Sequence, residues 1–324
     1  MLTQQYLLEL AQQLPPLRFS AEEDGNWVKN DSVQAYLDFY QINFSAEFPG
    51  LFHGFGAVDA AGFRIATHYW IPENAKGTLV INHGLYDHTG IFKHAIRFAL
   101  EQRLAVLIFD LPGHGLSSGE STEIESFDQY ADVLAAILKK SQAALPQPLY
   151  ALSQSTGGAM MLNYLWRYAF VDGSYPSFSK IALCAPLVLA RRWGLGKFLY
   201  IILRPWIKNL KRGISQNSHD PEFIQFISNR DPLQAKFLPL KWVGAMKAWN
   251  RQFCTFPSQQ KEVLILQGTD DMTVAWSYNL QLIKRKLPRA KVCMIDGARH
   301  QLINESNPYR TQVFSAIKKY FELP

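Results

Sequence analysis

Short apolar runs alternate with helical patterns along most of this chain. The runs that predict strands are Thr78–Asn82, Leu104–Phe109, Leu149–Leu152, Lys180–Cys184, Val263–Leu266 and Lys291–Ile295. Runs that are apolar throughout are typical of strands buried on both faces, and helices between successive strands favour parallel pairing. A hairpin that turns near Ala61 is predicted ahead of them, over residues 56–70. The pattern therefore predicts an α/β protein with a mostly parallel sheet flanked by helices.

The alternation stops between residues 187 and 255, where helical patterns rich in Trp, Leu, Arg and Lys replace strands. Twelve basic and three acidic residues give this segment a net charge of +9, which leaves −3 for the rest of a chain whose total is +6. We call it the cap segment, because we expect it to form a helical cap. This cap is inserted after the sixth core strand, Lys180–Cys184, when the two strands of the hairpin are counted first. The predicted division is an N-terminal extension (1–50), a core (51–186 and 256–324) and this cap (187–255).

Ser155 lies just after the predicted strand Leu149–Leu152 and directly before a helical pattern that starts at Thr156. A serine on a sharp strand-to-helix turn has an exposed hydroxyl, and the next backbone N–H is free to stabilise an oxyanion. The usual pattern for such a turn is G-x-S-x-G, whereas here Ser153 stands in place of the first glycine and Gly157 in place of the second. A helix N-cap serine is the alternative interpretation of Ser155.

Polar residues follow several other strands of the predicted sheet. Sites in such sheets lie beyond the carboxyl ends of the strands, so these positions are candidates for chemistry. The adjacent acids Asp270 and Asp271 follow the fifth parallel strand, and His300 follows the sixth after a glycine-containing loop. The chain order Ser, Asp, His belongs to the α/β-hydrolase version of the catalytic triad. We predict Ser155 as the nucleophile and His300 as the general base.

Five segments together resemble the α/β-hydrolase fold, and within it the monoacylglycerol lipase / lysophospholipase group, also described as serine aminopeptidase-like hydrolases. They are HGLYDHTG (83–90), FDLPGHGLSSG (109–119), the Ser155 turn, GTDDMTV (268–274) and GARHQLINE (297–305). The resemblance covers roughly residues 54–321. The departures are Ser153, Pro112 where the group often has Arg, and the N-terminal extension.

The resemblance also implies roles for individual residues. The group places its orienting carboxylate three residues after a glycine, which selects Asp271 over its rival Asp270, because the glycine is Gly268. The oxyanion hole would be formed by the backbone N–H groups of Leu85 and Thr156. No cofactor and no metal ion are expected for such an enzyme.

The predicted function is that of a serine hydrolase that cleaves carboxylic esters with an acyl chain, with monoacylglycerols or lysophospholipids favoured as small-molecule substrates. A proline-iminopeptidase-like aminopeptidase is the alternative within the same fold, although the positive cap would repel a substrate's ammonium group. A non-catalytic α/β-hydrolase scaffold is the third hypothesis, but such proteins usually lack a triad member, and none is missing here. Dehalogenase and epoxide hydrolase chemistry is excluded, because it needs a carboxylate where Ser155 stands.

The cap segment also suggests where the protein acts. Residues 193–212 combine an apolar run with tryptophans and bordering cations, a composition typical of peripheral membrane contact or of a lid over an acyl pocket. A cap helix packed on the core with solvated basic edges is the alternative. Nucleic acid is not expected as a partner, because the cations ring an apolar stretch. Without a basic, signal-like start or metal-type cysteine spacing, we expect a cytoplasmic protein, either free or peripheral to the inner membrane surface.

Overall fold

The computed structural model describes residues 2–171, 173–213 and 216–323, which contain ten strands in two sheets. The strands are β1 (Phe52–Ala60), β2 (Phe63–Ile71), β3 (Thr78–Asn82), β4 (Ala105–Phe109), β5 (Leu149–Gln154), β6 (Lys180–Cys184), β7 (Asn209–Lys211), β8 (Phe237–Pro239), β9 (Leu264–Gly268) and β10 (Lys291–Ile295). The main sheet has the spatial order β1-β2-β4-β3-β5-β6-β9-β10. Only the β1–β2 and β2–β4 pairs are antiparallel, and the rest of this sheet is parallel.

Eleven α-helices lie in the described ranges. They are α1 (Gln4–Gln13), α2 (Ala21–Asp24), α3 (Asp31–Phe39), α4 (Lys93–Glu101), α5 (Phe127–Ser141), α6 (Thr156–Tyr164), α7 (Trp193–Leu203), α8 (Pro221–Asn229), α9 (Leu240–Thr255), α10 (Trp276–Lys286) and α11 (Asn307–Phe321). A π-helical turn, Leu165–Ala169, continues α6, and short 3₁₀ turns lie at Trp27–Lys29, Thr89–Phe92 and Leu302–Asn304. None of the helices in these ranges combines the length and the apolarity that crossing a bilayer requires.

The sheet is buried on both faces. All five residues of β3 are buried, and successive residues belong to different apolar clusters, with Val80 in one and Leu79 and Ile81 in the other. Side chains alternate between the faces of a strand, so the two clusters lie on opposite sides of the sheet. The predicted α/β-hydrolase architecture, a mostly parallel sheet flanked by helices, is confirmed.

The cap segment differs in one respect from the sequence interpretation. It contains α7, α8 and α9 as the helical patterns indicate, but also β7 and β8, which form a separate antiparallel pair. Three-residue strands are too short to show a two-residue periodicity, so the pattern gave no indication of them. The division into extension, core and cap stays a prediction.

The N-terminal extension packs against the first strand and one face of the sheet. The backbone N–H of Ala57 in β1 donates to Pro15 at 2.7 Å, and Leu17 donates back to Ala57 at 2.8 Å. Leu7 of α1 and Leu37 of α3 are fully buried and belong to the same apolar cluster as Leu79 and Ile81. The extension is therefore part of the packed structure.

Candidate active site

Ser155 lies in the sharp turn that joins β5 to α6. Its φ of 53° is in a region that residues with a side chain seldom occupy, and its side chain is 7% exposed. Gly157 makes the turn possible, because a Cβ there would lie 2.3 Å from the carbonyl oxygen of Asn82 and 2.7 Å from that of His83. The missing side chain lets α6 approach the carboxyl end of β3.

A continuous line of hydrogen bonds runs from Ser155 through His300 to Asp271. The Ser155 Oγ lies 3.0 Å from His300 Nε2, and His300 Nδ1 lies 2.7 Å from Asp271 Oδ2. Because an ionised carboxylate only accepts hydrogen bonds, Nδ1 is assigned the proton, and Nε2 of the neutral imidazole can accept from the serine hydroxyl. The structure thus brings together the three residues that the sequence singled out from three different strand ends.

Asp271 is fixed in place by its own loop. Its Oδ1 accepts from the backbone N–H groups of Thr273 at 2.8 Å and Val274 at 3.1 Å, and its Oδ2 accepts from the Gln267 amide at 3.0 Å. Asp270 is exposed, whereas Asp271 is buried. Of the two rival acids, Asp271 is the one that contacts the histidine.

The two buried groups shift each other's pKa values. Burial lowers the pKa of His300, but the Asp271 carboxylate, with a further contribution from Asp87, outweighs it and raises this pKa above its ordinary value of 6.5. Burial raises the pKa of Asp271, but the His300 imidazole and the loop hydrogen bonds hold it below 3.8. The arrangement therefore favours an ionised carboxylate and a basic imidazole.

The predicted oxyanion donors lie on the two backbone segments that border Ser155. Thr156 is the first residue of α6, where backbone N–H groups have no acceptor within the helix. Leu85 follows Gly84, whose backbone is so close to the nucleophile that a Cβ on it would lie 3.2 Å from Ser155 Cβ. Both segments are therefore beside the serine hydroxyl.

Ser153 is fully buried, and its hydroxyl binds a side chain of the neighbouring strand. Its Oγ accepts a hydrogen bond from the Asn82 side chain at 2.8 Å, across the β3–β5 pair. His83 accepts from the backbone N–H of Leu111 at 2.9 Å and so links the loop after β3 to the loop after β4. Asp110 accepts from the backbone N–H of Leu116 at 2.8 Å, which fixes the neighbouring Gly-His-Gly turn.

Three buried glutamines around the site were missed in the sequence. The Gln154 amide donates to the backbone carbonyl of His300 at 2.8 Å, and Gln267 contacts Asp271 as described. The Gln301 amide donates to Asp87 Oδ1 at 2.9 Å. Gln154 and Gln301 directly neighbour Ser155 and His300 in the chain, and a polar side chain at a buried strand end needs a partner. A glutamine next to a predicted catalytic residue was therefore the feature of the sequence that could have indicated them.

No group of three or more His, Cys, Asp and Glu side chains in the described ranges is arranged to hold a metal ion. Of the three cysteines, Cys184 is buried, Cys293 is partly buried, and Cys254, near the end of α9, is exposed.

Comparison with known proteins identifies the group to which this fold and site belong. The family described as serine aminopeptidase, S33, matches residues 73–307. The chain belongs to this family. The match includes Ser155, Asp271 and His300, and the family assignment agrees with the α/β-hydrolase sheet described above.

The S33 member described here is similar to several lipases. It is 26% identical to the monoglyceride lipase of Homo sapiens over 278 residues, which cover 81% of this chain and 88% of the relative. It is 22% identical to the phospholipase YtpA of Bacillus subtilis over 267 residues, covering 78% and 97%. A soluble variant of the monoglyceride lipase of Saccharomyces cerevisiae shares the fold, with a TM-score of 0.68, 16% identity and coverage of 82% and 94%. The protein is accordingly a carboxylic ester hydrolase of the α/β-hydrolase fold.

Proposed function

We propose that Ser155, His300 and Asp271 form a catalytic triad that hydrolyses carboxylic esters with an acyl chain, of the monoacylglycerol or lysophospholipid type. The observation that carries the proposal is the hydrogen-bonded line from Ser155 Oγ to Asp271 Oδ2 through one imidazole. A neutral hydroxyl is a poor nucleophile, and a base within hydrogen-bond reach is what activates it. This geometry supports nucleophilic rather than purely structural use of Ser155.

In the first half of the reaction, Ser155 Oγ attacks the ester carbonyl carbon while His300 Nε2 accepts the hydroxyl proton. The carbonyl oxygen becomes an oxyanion and is stabilised by the backbone N–H groups of Leu85 and Thr156. Asp271 stabilises the imidazolium that forms. The tetrahedral intermediate then collapses, His300 returns its proton to the alcohol oxygen, and the alcohol leaves an acyl-enzyme on Ser155.

In the second half, a water molecule replaces the alcohol. His300 Nε2 takes a proton from the water, whose oxygen attacks the acyl carbon and forms a second tetrahedral intermediate at the same donors. Collapse breaks the bond to Ser155 Oγ, which regains its proton from His300. A fatty acid leaves, and the enzyme is restored without any cofactor.

The relatives and the cap support an ester substrate over an amino-terminal peptide. The two curated relatives compared above are named a monoglyceride lipase and a phospholipase. An aminopeptidase would need a free carboxylate for the substrate's ammonium group, and the three acids of the cap segment do not provide one in the site. Asp231 is buried and hydrogen-bonded to His88. Asp220 caps the N-terminus of α8, and Glu222 is exposed on that helix.

The test is the Ser155→Ala variant. We expect it to lose about a millionfold in kcat on p-nitrophenyl esters and to lose fluorophosphonate labelling, while its unfolding temperature stays close to that of the parent protein. Initial rates on a monoacylglycerol, a lysophospholipid and an amino-acyl naphthylamide separate the substrate classes. Full esterase activity in the alanine variant would refute the triad, and a preference for the naphthylamide would refute the ester assignment.

We also propose that the cap segment, as a cap over the strand ends of the core, rests on anionic membrane surfaces, as expected of a protein peripheral to the inner membrane. Phe198, Ile201 and Ile202 of α7 and the following Trp206 are exposed, Trp206 by 86%. Cations flank them, and the sequence has no acidic residue from 187 to 219. Apolar side chains rimmed by cations suit an interface with anionic lipid.

A further inference from the structure

A buried carboxylate of the cap segment binds side chains from two other parts of the chain. Asp231 Oδ2 lies 2.9 Å from His88 Nε2, in the loop after β3, and both side chains are fully buried. Asp231 Oδ1 accepts from the Tyr40 hydroxyl at 2.7 Å, at the end of α3 in the N-terminal extension. We call Asp231, His88, Tyr40 and Gln234 the Asp231 cluster.

The carboxylate of this cluster is fully satisfied. Besides His88 and Tyr40, it accepts from the backbone N–H of Leu233 at 3.1 Å and from the Gln234 amide at 2.9 Å. Burial lowers the pKa of His88, but the Asp231 carboxylate outweighs it and raises this pKa above 6.5. His88 Nδ1 accepts from the backbone N–H of Gly90 at 3.2 Å, so Nε2 carries the proton that Asp231 accepts. A buried carboxylate is tolerated only when its partners are all present, so each hydrogen bond restrains the position of the others.

The cluster continues into the loop that holds the proposed oxyanion donor. The Gln234 amide also donates to the backbone carbonyl of Tyr86 at 3.2 Å, and Arg212 holds the other end of that amide through Gln234 Oε1 at 2.8 Å. Tyr86 has a φ of 71°, a conformation that residues with a side chain seldom adopt without restraint. Leu85 directly precedes Tyr86.

The donor is therefore fixed from both sides. On one side, the backbone N–H of Gly84 donates to Asp87 Oδ2 at 3.1 Å, within the loop itself. On the other side, Tyr86 and His88 are held by residues of the cap, and through Asp231 by Tyr40. An oxyanion donor must be held in advance where the charge will develop, since a displaced donor stabilises the transition state less.

We propose that Tyr40, Asp231 and Gln234 are positioning residues for the hydrolysis reaction. They tie the N-terminal extension and the cap segment to the loop after β3 and keep the Leu85 N–H aligned with Ser155. None of the three touches the reacting atoms. The inference rests on the proposed function, because it takes Leu85 as an oxyanion donor, and it assigns the extension a task in catalysis.

Two tyrosines of the same segment provide a matched test. Tyr40→Phe removes the hydroxyl that binds Asp231 and keeps the ring that contacts His88 and Phe226. Tyr36→Phe removes a buried hydroxyl that has no hydrogen-bond partner in the described part of the chain. With a soluble short-chain p-nitrophenyl ester, we expect Tyr40→Phe to lower kcat about tenfold with little change in KM, a fraction of the 10²–10³ that losing a donor costs. Tyr36→Phe should keep the parent kcat.

Equal kcat values for the two variants would overturn the proposal, as would a Tyr40→Phe effect confined to KM or to the unfolding temperature. If Tyr40→Phe does not fold, Gln234→Leu replaces it, since this half-buried side chain holds Tyr86 directly; an unchanged kcat in that variant refutes the inference. Combining Tyr40→Phe with Gln234→Leu should lower kcat by less than the product of the single effects, because both act on one carboxylate. Independent, multiplicative losses would contradict a shared route.

The Ser155→Ala variant, measured in the same assay, distinguishes failure of the positioning role from failure of the proposed catalytic triad. If Ser155→Ala is inactive and Tyr40→Phe is unaffected, the triad stands and only the positioning role is refuted. If Ser155→Ala retains activity, both proposals are refuted.

Discussion

Single residues around Ser155 are held by partners that are distant in the sequence. Ser153 occupies the place where the turn usually has glycine, and its hydroxyl accepts from Asn82. The other end of that amide, Asn82 Oδ1, has no hydrogen-bond partner among the described residues. The serine therefore satisfies half of a buried amide and has no access to the histidine.

This arrangement predicts the effect of Ser153→Ala. Losing the acceptor leaves the Asn82 amide unpaired at both ends, so we expect the free energy of unfolding to fall by about 1–3 kcal/mol. The rate of fluorophosphonate labelling should stay at the parent level, because Ser155 is unchanged. Urea unfolding and labelling followed in parallel check both parts. Loss of labelling would mean that Ser153, and not Ser155, is the nucleophile.

At the residue scale, the sequence could name candidates but not their contacts. The spacing from Gly268 favoured Asp271 over Asp270, and the structure places Asp271 next to His300. His88 binds its own loop through Nδ1, which accepts from the backbone N–H of Gly90 at 3.2 Å, and its Nε2 also contacts Asp231, 143 residues away. A local pattern carries no information about a partner brought close by folding.

Among the elements, α7 shows how one helix divides its surface. Trp193, Tyr200 and Leu203 are partly buried and pack against the apolar core, a spacing of seven and three residues that defines one helix face. Phe198, Ile201 and Ile202 point elsewhere and are 61%, 50% and 49% exposed. An apolar helix with one face unpaired is the basis for the membrane proposal.

Membrane binding by α7 is testable with vesicles. In co-sedimentation with phosphatidylglycerol-containing vesicles, the double variant Phe198→Ser, Ile202→Ser should bind about tenfold more weakly or worse, because two large apolar side chains no longer enter the interface. Binding should also weaken with added salt, which screens the cations. Val171→Ser, at a residue 65% exposed outside the cap segment, is the control. Unchanged binding of the double variant would refute the role of α7.

The strands and main helices were predictable because each follows a strong local pattern. β3 and β6 have the predicted bounds, and β5 extends two residues beyond the predicted end, to Gln154. Its last two residues, Ser153 and Gln154, are polar, so the apolar pattern ends before the strand does. Their burial is decided by Asn82 and His300, which contact them from other elements.

At the scale of the whole molecule, several histidines are buried, and the shifts of their pKa values predict how stability changes with acid. Burial lowers the pKa of His68, His83 and His114, the last to about 4, so they are neutral in the folded state below pH 6.5. The unfolded chain binds protons at these sites between pH 6.5 and 4, and stability therefore falls as the pH falls through that window. The raised pKa values of Asp87 and Asp110 oppose this in its lower part.

From pH 7 to pH 5, we expect the free energy of unfolding to fall by about 2 kcal/mol for His114, whose folded pKa is about 4. His68 and His83 add losses of the same sign, and the two carboxyl groups oppose them. His88 and His300, whose folded pKa values are raised, add a smaller decline of stability above pH 6.5. Urea unfolding at pH 5, 6, 7 and 8 should show a maximum near neutrality. A stability that is constant or higher at pH 5 would contradict the neutral burial of these side chains.

The sequence by itself determined the mostly parallel α/β architecture and the candidates Ser155 and His300, because apolar periodicity, turn chemistry and chain order are local or sequential properties. The resemblance to the α/β-hydrolase group added the fold family and the choice of Asp271. Only the tertiary structure decided how the surroundings are assembled. The Tyr40–Asp231 and His88–Asp231 contacts join residues 191 and 143 positions apart. The hydrogen bonds of Asp231 form only where the extension, the loop after β3 and the cap lie next to one another. Their relative positions are decided by the packing of the whole chain, which no local pattern describes.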